Sequence, residues 1–267
     1  MKWAVGIVSI IAIGLALAIA VAGPGTRFGL WDYGTGLTLI RSVSAPKELF
    51  AGVALPPLFT AAGLALVLGI AAAFMKKGGV AALGIIAALI AGGAGIVPIK
   101  MKAAFESNPF IHEVTTDFDN PPAIIAAANE PRKNPADYRG MDKVPNDPNG
   151  LIVADAQRLA FPDISPILAE ADLKTSTAVA KDVLTAMGMK ILADGPADDT
   201  AGGGWRIEAV ATSTWFGFKD DFIVRLTPME DGRTKVDLRS KSRVGGSDLG
   251  ANAARVRDFM KRFNAAI

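Results

Sequence analysis

Three stretches of the chain carry no Asp, Glu, Lys, Arg or His: Trp3 to Thr26 (24 residues), Leu49 to Met75 (27) and Gly78 to Ile99 (22). Wound as helices rising about 1.5 Å per residue, each is long enough to cross a bilayer core of about 30 Å. The first hundred residues therefore read as a membrane domain with transmembrane helices over about 3–24, 49–75 and 79–99. A mean hydropathy of +0.33 with 51% hydrophobic residues agrees, since soluble domains of this length carry less.

Charge divides the chain at the same place. Residues 1–100 hold seven basic and two acidic side chains, which leaves 21 basic against 24 acidic residues after position 100. An acidic polar half lacks the basic surplus that phosphate neutralisation demands, so nucleic acid is not an expected partner. The chain has no cysteine, which excludes disulfides and thiolate chemistry, and its single histidine, His112, makes neither a metal site nor a triad. No cofactor is expected.

The N-terminal Met1-Lys2-Trp3 leads into an apolar run longer than a secretory signal core, which predicts an uncleaved first span. Spans two and three are joined by Lys76-Lys77-Gly78-Gly79, a turn short enough to force an antiparallel hairpin. Placing that lysine pair in the cytoplasm puts the N-terminus inside and the polar half outside: an inner-membrane protein with a periplasmic domain. Arg27, Arg41, Lys47, Lys100 and Lys102 count in the opposite direction. No span carries an ionisable residue, which argues against a pump or channel. Small residues at four-residue spacing (Gly14, Ala18, Ala22; Gly84, Ala88, Gly92) suit close helix packing, within this bundle or against another membrane subunit. The segment from Arg27 to Arg41 mixes aromatic and charged residues and is expected in the bilayer interface.

Residues 101–267 are expected to form an extramembrane α+β domain of two layers, an antiparallel sheet with packed helices. Its first fifty residues are rich in Pro, Asn and Asp, so an extended, ordered wrap is expected, with one short helix near Ala123 to Asn129. A helix over Lys174–Met187, capped by Thr175 or Ser176, precedes strands over Met189–Ala193, Trp205–Ser213, Phe222–Pro228 and Thr234–Ser242. A last helix over Asp248–Ala266, capped by Ser247 or Asp248, carries an apolar stripe of Leu249, Ala253, Val256, Phe259, Met260 and Phe263.

Alternation along the last strand sets Val236, Leu238, Ser240 and Ser242 against Asp237, Arg239, Lys241 and Arg243. The tract that follows, Arg243 to Asn252, runs through a glycine turn into a helix start, where free N–H groups attract anions; Arg239, Arg243 and Arg255 lie nearby in sequence. The competing expectation is that Asp248 itself fills that position as the cap and pairs with Arg243. One of Asp220 and Asp221 is expected to pair with Arg239 or Arg243, because neighbours on a strand face opposite ways. Trp215-Phe216-Gly217-Phe218 is an apolar turn, expected in the core, with ligand, membrane or partner contact as the other options.

Phe161-Pro162-Asp163-Ile164, Glu208-Ala209-Val210-Ala211-Thr212, Phe218-Lys219-Asp220-Asp221, the Arg239-Ser240-Lys241-Ser242-Arg243-Val244-Gly245 run and Asp248-Leu249-Gly250-Ala251-Asn252 with Arg255 resemble the domain of unknown function 1499 family. The likeness covers roughly residues 105–265. It implies an exported or membrane-attached bacterial domain of the cell envelope and no activity to carry over. Candidate ligand- or partner-binding residues are Asp221, Arg239, Ser240, Ser242, Arg243, Asp248, Asn252, Arg255, Trp215 and Phe216. The favoured function is a non-enzymatic, membrane-anchored domain binding a partner protein or a small anionic or lipidic ligand. The alternatives are an envelope hydrolase or isomerase using the Asp/Arg set, or an accessory subunit of a membrane complex. The lipid bilayer is the one partner expected in every case.

Overall fold

A computed structural model describes residues 1–50, 52–197 and 203–267. They form two compact units: Met1–Ala103 with Thr214–Gly217, and Ala104–Ser213 with Phe218–Ile267.

The first unit is built from α1 (Lys2–Arg27), α2 (Tyr33–Ser44), a hairpin of β1 (Lys47–Phe50) and β2 (Val53–Leu55), α3 (Pro57–Phe74), α4 (Gly78–Ala94) and α5 (Ile96–Ser107). Three helices are long and apolar enough to cross a membrane: Lys2–Arg27, Pro57–Phe74 and the continuous Gly78–Ser107. The second begins at Pro57, not at Leu49. Residues 47–50 pair with residues 53–55 as antiparallel strands, and Pro56-Pro57 starts the helix because a proline at its first position forfeits no hydrogen bond. Ala51, inside the second charge-free run, lies outside the described residues.

Alanines make this bundle thin at its centre: Ala12, Ala16, Ala61, Ala65, Ala87 and Ala91 are buried, while Ile10, Leu17, Val67 and Leu89 face outward. Helices α3 and α4 approach closely at Gly69 and Gly84, where a Cβ on Gly84 would stand 2.8 Å from the Gly69 Cα. Close backbone approach of this kind is what small residues supply where lipid removes the hydrophobic drive. Gly14 and Gly92, which the same spacing nominated, are exposed. The Asp32 side chain caps α2 by accepting from the Thr35 N–H at 2.9 Å. Trp215, partly buried, packs on the core of this unit, and the buried Phe216 meets it edge-on at 4.9 Å between ring centres.

The second unit is a six-stranded antiparallel sheet with helices on one face, the expected α+β arrangement. Its elements are β3 (Glu113–Thr115), α6 (Val153–Ala160), β4 (Ile167–Ala169), α7 (Leu173–Ala186), β5 (Lys190–Ala197), β6 (Gly204–Thr212), β7 (Lys219–Pro228), β8 (Thr234–Ser242) and α8 (Ala251–Ala266). The spatial order is β3-β8-β7-β6-β5, and β4 pairs with the other end of β8. Helix α7 is capped by Asp172, whose carboxylate accepts from the Thr175 N–H at 2.7 Å, instead of by Thr175 or Ser176.

Inward residues of β6, β7 and β8 (Ile207, Phe222, Val224, Leu226, Val236, Leu238) pack against Leu184 of α7 and Val256, Phe259 and Phe263 of α8. The two last rings stack on one another, with Phe222 tilted against Phe259. Residues 123–129 form turns, not a helix: Ala128 N–H bonds Ile125 and Glu130 N–H bonds Ala127, each a three-residue reach.

Candidate functional site

On β8 the alternation places Asp237, Arg239, Lys241 and Arg243 on the face away from the helices. That face is not a solvated one. All four side chains are buried, as are Arg206, Glu208, Asp221 and Arg225 on the neighbouring strands. The cover is the chain from Asp117 to Arg139, which supplies carboxylates and backbone groups in place of water. A third layer therefore closes a sheet face that would otherwise be charged and wet.

Three ion-paired knots result. In the first, Glu113 of β3 accepts from Arg239 Nη2 at 2.8 Å, from Lys241 Nζ at 3.1 Å and from the Arg139 backbone N–H at 2.9 Å. The remaining donors end on carbonyls of the cover: Arg239 on Pro122 and Ala136, Lys241 on Asp137. Burial holds the Lys241 ammonium below its usual pKa, against the pull of Glu113. In the second, Arg225 joins Asp237 (3.0 Å), Asp117 and the Asn120 carbonyl, with Lys235 bridging the same two carboxylates. The third holds Arg243, Asp221, Arg132 and Glu130. Arg243 gives two hydrogen bonds to Asp221 Oδ1, at 2.9 and 2.7 Å, Arg132 Nη1 reaches Asp221 Oδ2 at 3.1 Å, and Glu130 meets Arg243 Nη1 at 3.1 Å. Beside these, the buried Glu208 carboxylate accepts three successive backbone N–H groups, those of Ile125, Ala126 and Ala127. Those bonds account for the turns found where a helix is expected.

The other candidates meet on the helix side. Asn252 accepts from Ser240 Oγ at 2.6 Å and from Arg255 at 2.7 Å, and donates to Ser242 Oγ and the His112 carbonyl. Arg255 also reaches Asp220 at 2.8 Å, so the two adjacent aspartates serve opposite faces of β7. Asp248 accepts from the backbone N–H of Gly250 and Asn252, both at 2.8 Å, which fills the anion position at the start of α8 with the chain's own carboxylate. It does not pair with Arg243. Its pKa is raised because it is buried, with Asp220 nearby and the two N–H groups working the other way. Leu249, between them, holds a left-handed φ of 56°.

Arg239 is thus drawn to Glu113 and away from Asp221, while Ser240, Ser242, Asn252 and Arg255 form one network. Trp215 and Phe216 fill core in the first unit. Shallow grooves among the described residues of the second unit include two. One of about 310 Å³ lies between α7 and α8, lined by Val179, Val183 and Arg262, and one of about 210 Å³ is lined by Ile125, Asp194, Arg206 and Glu208. Neither is lined by Asp221, Arg239, Arg243, Asp248 or Arg255. Among the described residues no group of three His, Asp or Glu could hold a metal ion.

A family model described as "Protein of unknown function (DUF1499)" matches residues 113–263. The chain belongs to the DUF1499 family. The DUF1499 match begins at Glu113, the first residue of β3, and takes in the cover, the whole six-stranded sheet and most of α8. No curated protein and no solved structure matches the chain. Glu113, Asp117, Glu130 and Arg132, which complete the DUF1499 knots, were not among the expected site residues. They sit in the Pro- and Asn-rich stretch, where no periodicity assigns a direction to a side chain.

Proposed function

We propose that this protein is a membrane-anchored, non-catalytic domain of the cell envelope that binds a small anionic or lipidic ligand or a membrane-protein partner. One observation carries the reading. The Asp/Arg residues that an enzyme would use are spent on one another in buried pairs, and neither groove is lined by them. General acid–base or nucleophilic work needs such groups to converge where a reacting atom can sit. A network of mutual pairs instead fixes the cover on the sheet.

An inner-membrane location with the second unit in the periplasm is supported by the signal-anchor character of Lys2 and the first span, and by the Lys76-Lys77 pair between α3 and α4. An alkaline phosphatase fused after Ile267 is expected to be active; a silent fusion beside an active cytoplasmic reporter reverses the topology. Purification in mild detergent followed by mass spectrometry tests the binding reading. One anionic lipid or one membrane protein retained in stoichiometric amount supports it, and an empty preparation that turns over envelope material sinks it.

A further inference from the structure

The third knot is built unevenly. Asp221 is locked: its side chain is 2% exposed and it takes hydrogen bonds from both Arg243 and Arg132. Glu130, the second acid of the knot, has a side chain that is 47% exposed, yet it serves a guanidinium that is only 3% exposed. Arg132, 8% exposed, has a buried Nη2 with no hydrogen-bond partner among the described residues. Two guanidinium groups therefore share one carboxylate that cannot leave, and Arg243 alone holds a second that can.

The backbone around Glu130 does not need to move for that carboxylate to leave. Its N–H bonds the Ala127 carbonyl, the N–H groups of Lys133 and Asn134 both end on the Arg243 carbonyl, and the Asn134 side chain donates to the carbonyls of Ser242 and Gly245. Arg132 is tied to the same loop through the Asn134 carbonyl at 2.7 Å. Rotation of one side chain, exposed already, uncovers Arg243 Nη1. With Glu130 turned away, two buried guanidinium groups are left on the single carboxylate of Asp221, one positive charge in excess, so the position is filled either by Glu130 or by an anion from outside.

We propose that Glu130 is an internal stand-in, and that Arg243 and Arg132 form a receiving site for a phosphate-bearing ligand that displaces it. This deepens the anionic-ligand reading above and rests on it. The guanidinium fork favours carboxylate and phosphate oxygens. Glu130 serves Arg243 Nη1 alone, through Oε2, whereas a tetrahedral phosphate offers enough oxygens to serve Arg243 Nη1 and a second donor at once. A phospholipid headgroup and a free phosphate share that chemistry.

The test uses the full chain in nanodiscs of phosphatidylcholine, titrated calorimetrically with inorganic phosphate, and in parallel nanodiscs containing phosphatidic acid, followed by thermal unfolding. Glu130→Gln removes the internal competitor from an exposed position and keeps its size. It is expected to bind phosphate about tenfold more tightly than wild type, because a charged acceptor no longer competes for Arg243. Arg132→Gln added to that variant is expected to abolish the gain. A response confined to phosphatidic acid identifies the headgroup as the source; a response to inorganic phosphate in neutral discs identifies the free ion. Equal saturable binding by wild type and Glu130→Gln overturns this site and leaves an anionic ligand elsewhere on the domain. No response of either protein to either probe overturns the site and the anionic-ligand reading together, leaving the partner protein.

Discussion

Arg243 grips a single oxygen of Asp221, Oδ1, from both Nε (2.9 Å) and Nη2 (2.7 Å), and both side chains are buried. The two residues stand on adjacent strands, with Asp221 opposite Lys241 in the β7–β8 register, so the pair joins the end of β8 to β7 diagonally. Arg132 holds the other oxygen of Asp221. The sheet and its cover are thereby fastened at one carboxylate.

Arg243→Ala should lower stability by about 3–5 kcal/mol, because it leaves Asp221 buried beside one cation where there were two. Arg243→Lys should recover only part of this, since an ammonium cannot supply both bonds from the same planar group. Chemical unfolding of the full chain measures both. An unchanged midpoint for Arg243→Ala means that the pair contributes nothing.

Glu113 carries a heavier share of charge. Glu113→Gln leaves Arg239 and Lys241 buried without their carboxylate, and a loss at the upper end of the same range, about 5 kcal/mol, is expected. Replacing Glu113 and Lys241 together, by Gln and Met, should cost less than Glu113→Gln alone, because one stranded charge goes with its partner. A double variant less stable than the single one contradicts that account.

What the sequence showed of this knot, and what it did not, has a physical cause. Period-two alternation on β8 told which side chains share a face, because the pleat alone dictates it. Whether that face meets water depends on what covers it. The cover binds through the carbonyls of Pro122, Asn120, Ala136 and Asp137, groups that every residue type possesses. Its sequence therefore carries no pattern that names its target. The three spanning helices were legible for the opposite reason: absence of charge over a fixed length is itself the requirement. It failed at the start of the second span, where the apolar strand Val53–Leu55 looks the same as the start of a helix until Pro56-Pro57 is given its weight.

His112 gives a pH dependence that belongs to one residue, since the chain has no other histidine. Burial, and the nearby Lys241 charge, hold its pKa below 6.5. The native state then binds fewer protons than the unfolded chain once pH falls beneath that value, so stability is lost as pH falls from 6.5 toward the depressed folded pKa. Unfolding free energies between about pH 7.5 and 5 should slope downward in acid, and His112→Gln should flatten the slope. An identical slope in the variant assigns the effect to the carboxylates.

The crossing of α3 and α4 offers a test inside the membrane unit. Gly84→Leu places a side chain against the Ala65 carbonyl and the Gly69 backbone, and the two helices must part. Overpacking of this kind costs about 1–3 kcal/mol. Gly92→Leu, on the exposed side of the same helix, should be tolerated. Unfolding in detergent separates the two, and equal midpoints remove the close approach as a packing determinant.

Asp248 decides how α8 begins. The N-cap of α8 is Gly250, neither Ser247 nor Asp248, yet the Asp248 carboxylate takes the N–H groups of Gly250 and Asn252, so Asp248→Ala should cost about 0.5–2 kcal/mol, the range for a lost side-chain bond at a helix start. Asp248→Asn should cost less, because the amide oxygen still accepts and no buried negative charge faces Asp220. The sign with pH follows from the raised pKa: the stability that protonation of Asp248 contributes is fully present below 3.8 and is lost as pH rises through the folded pKa. Asp248→Asn should remove that loss. Added phosphate should leave the midpoint of Asp248→Asn no more sensitive than wild type, because the side chain at 248 still accepts the N–H groups of Gly250 and Asn252. A saturable phosphate response that appears only when Asp248 is changed would instead locate an anion site at the start of α8, and Glu130 would then be an ordinary ion pair.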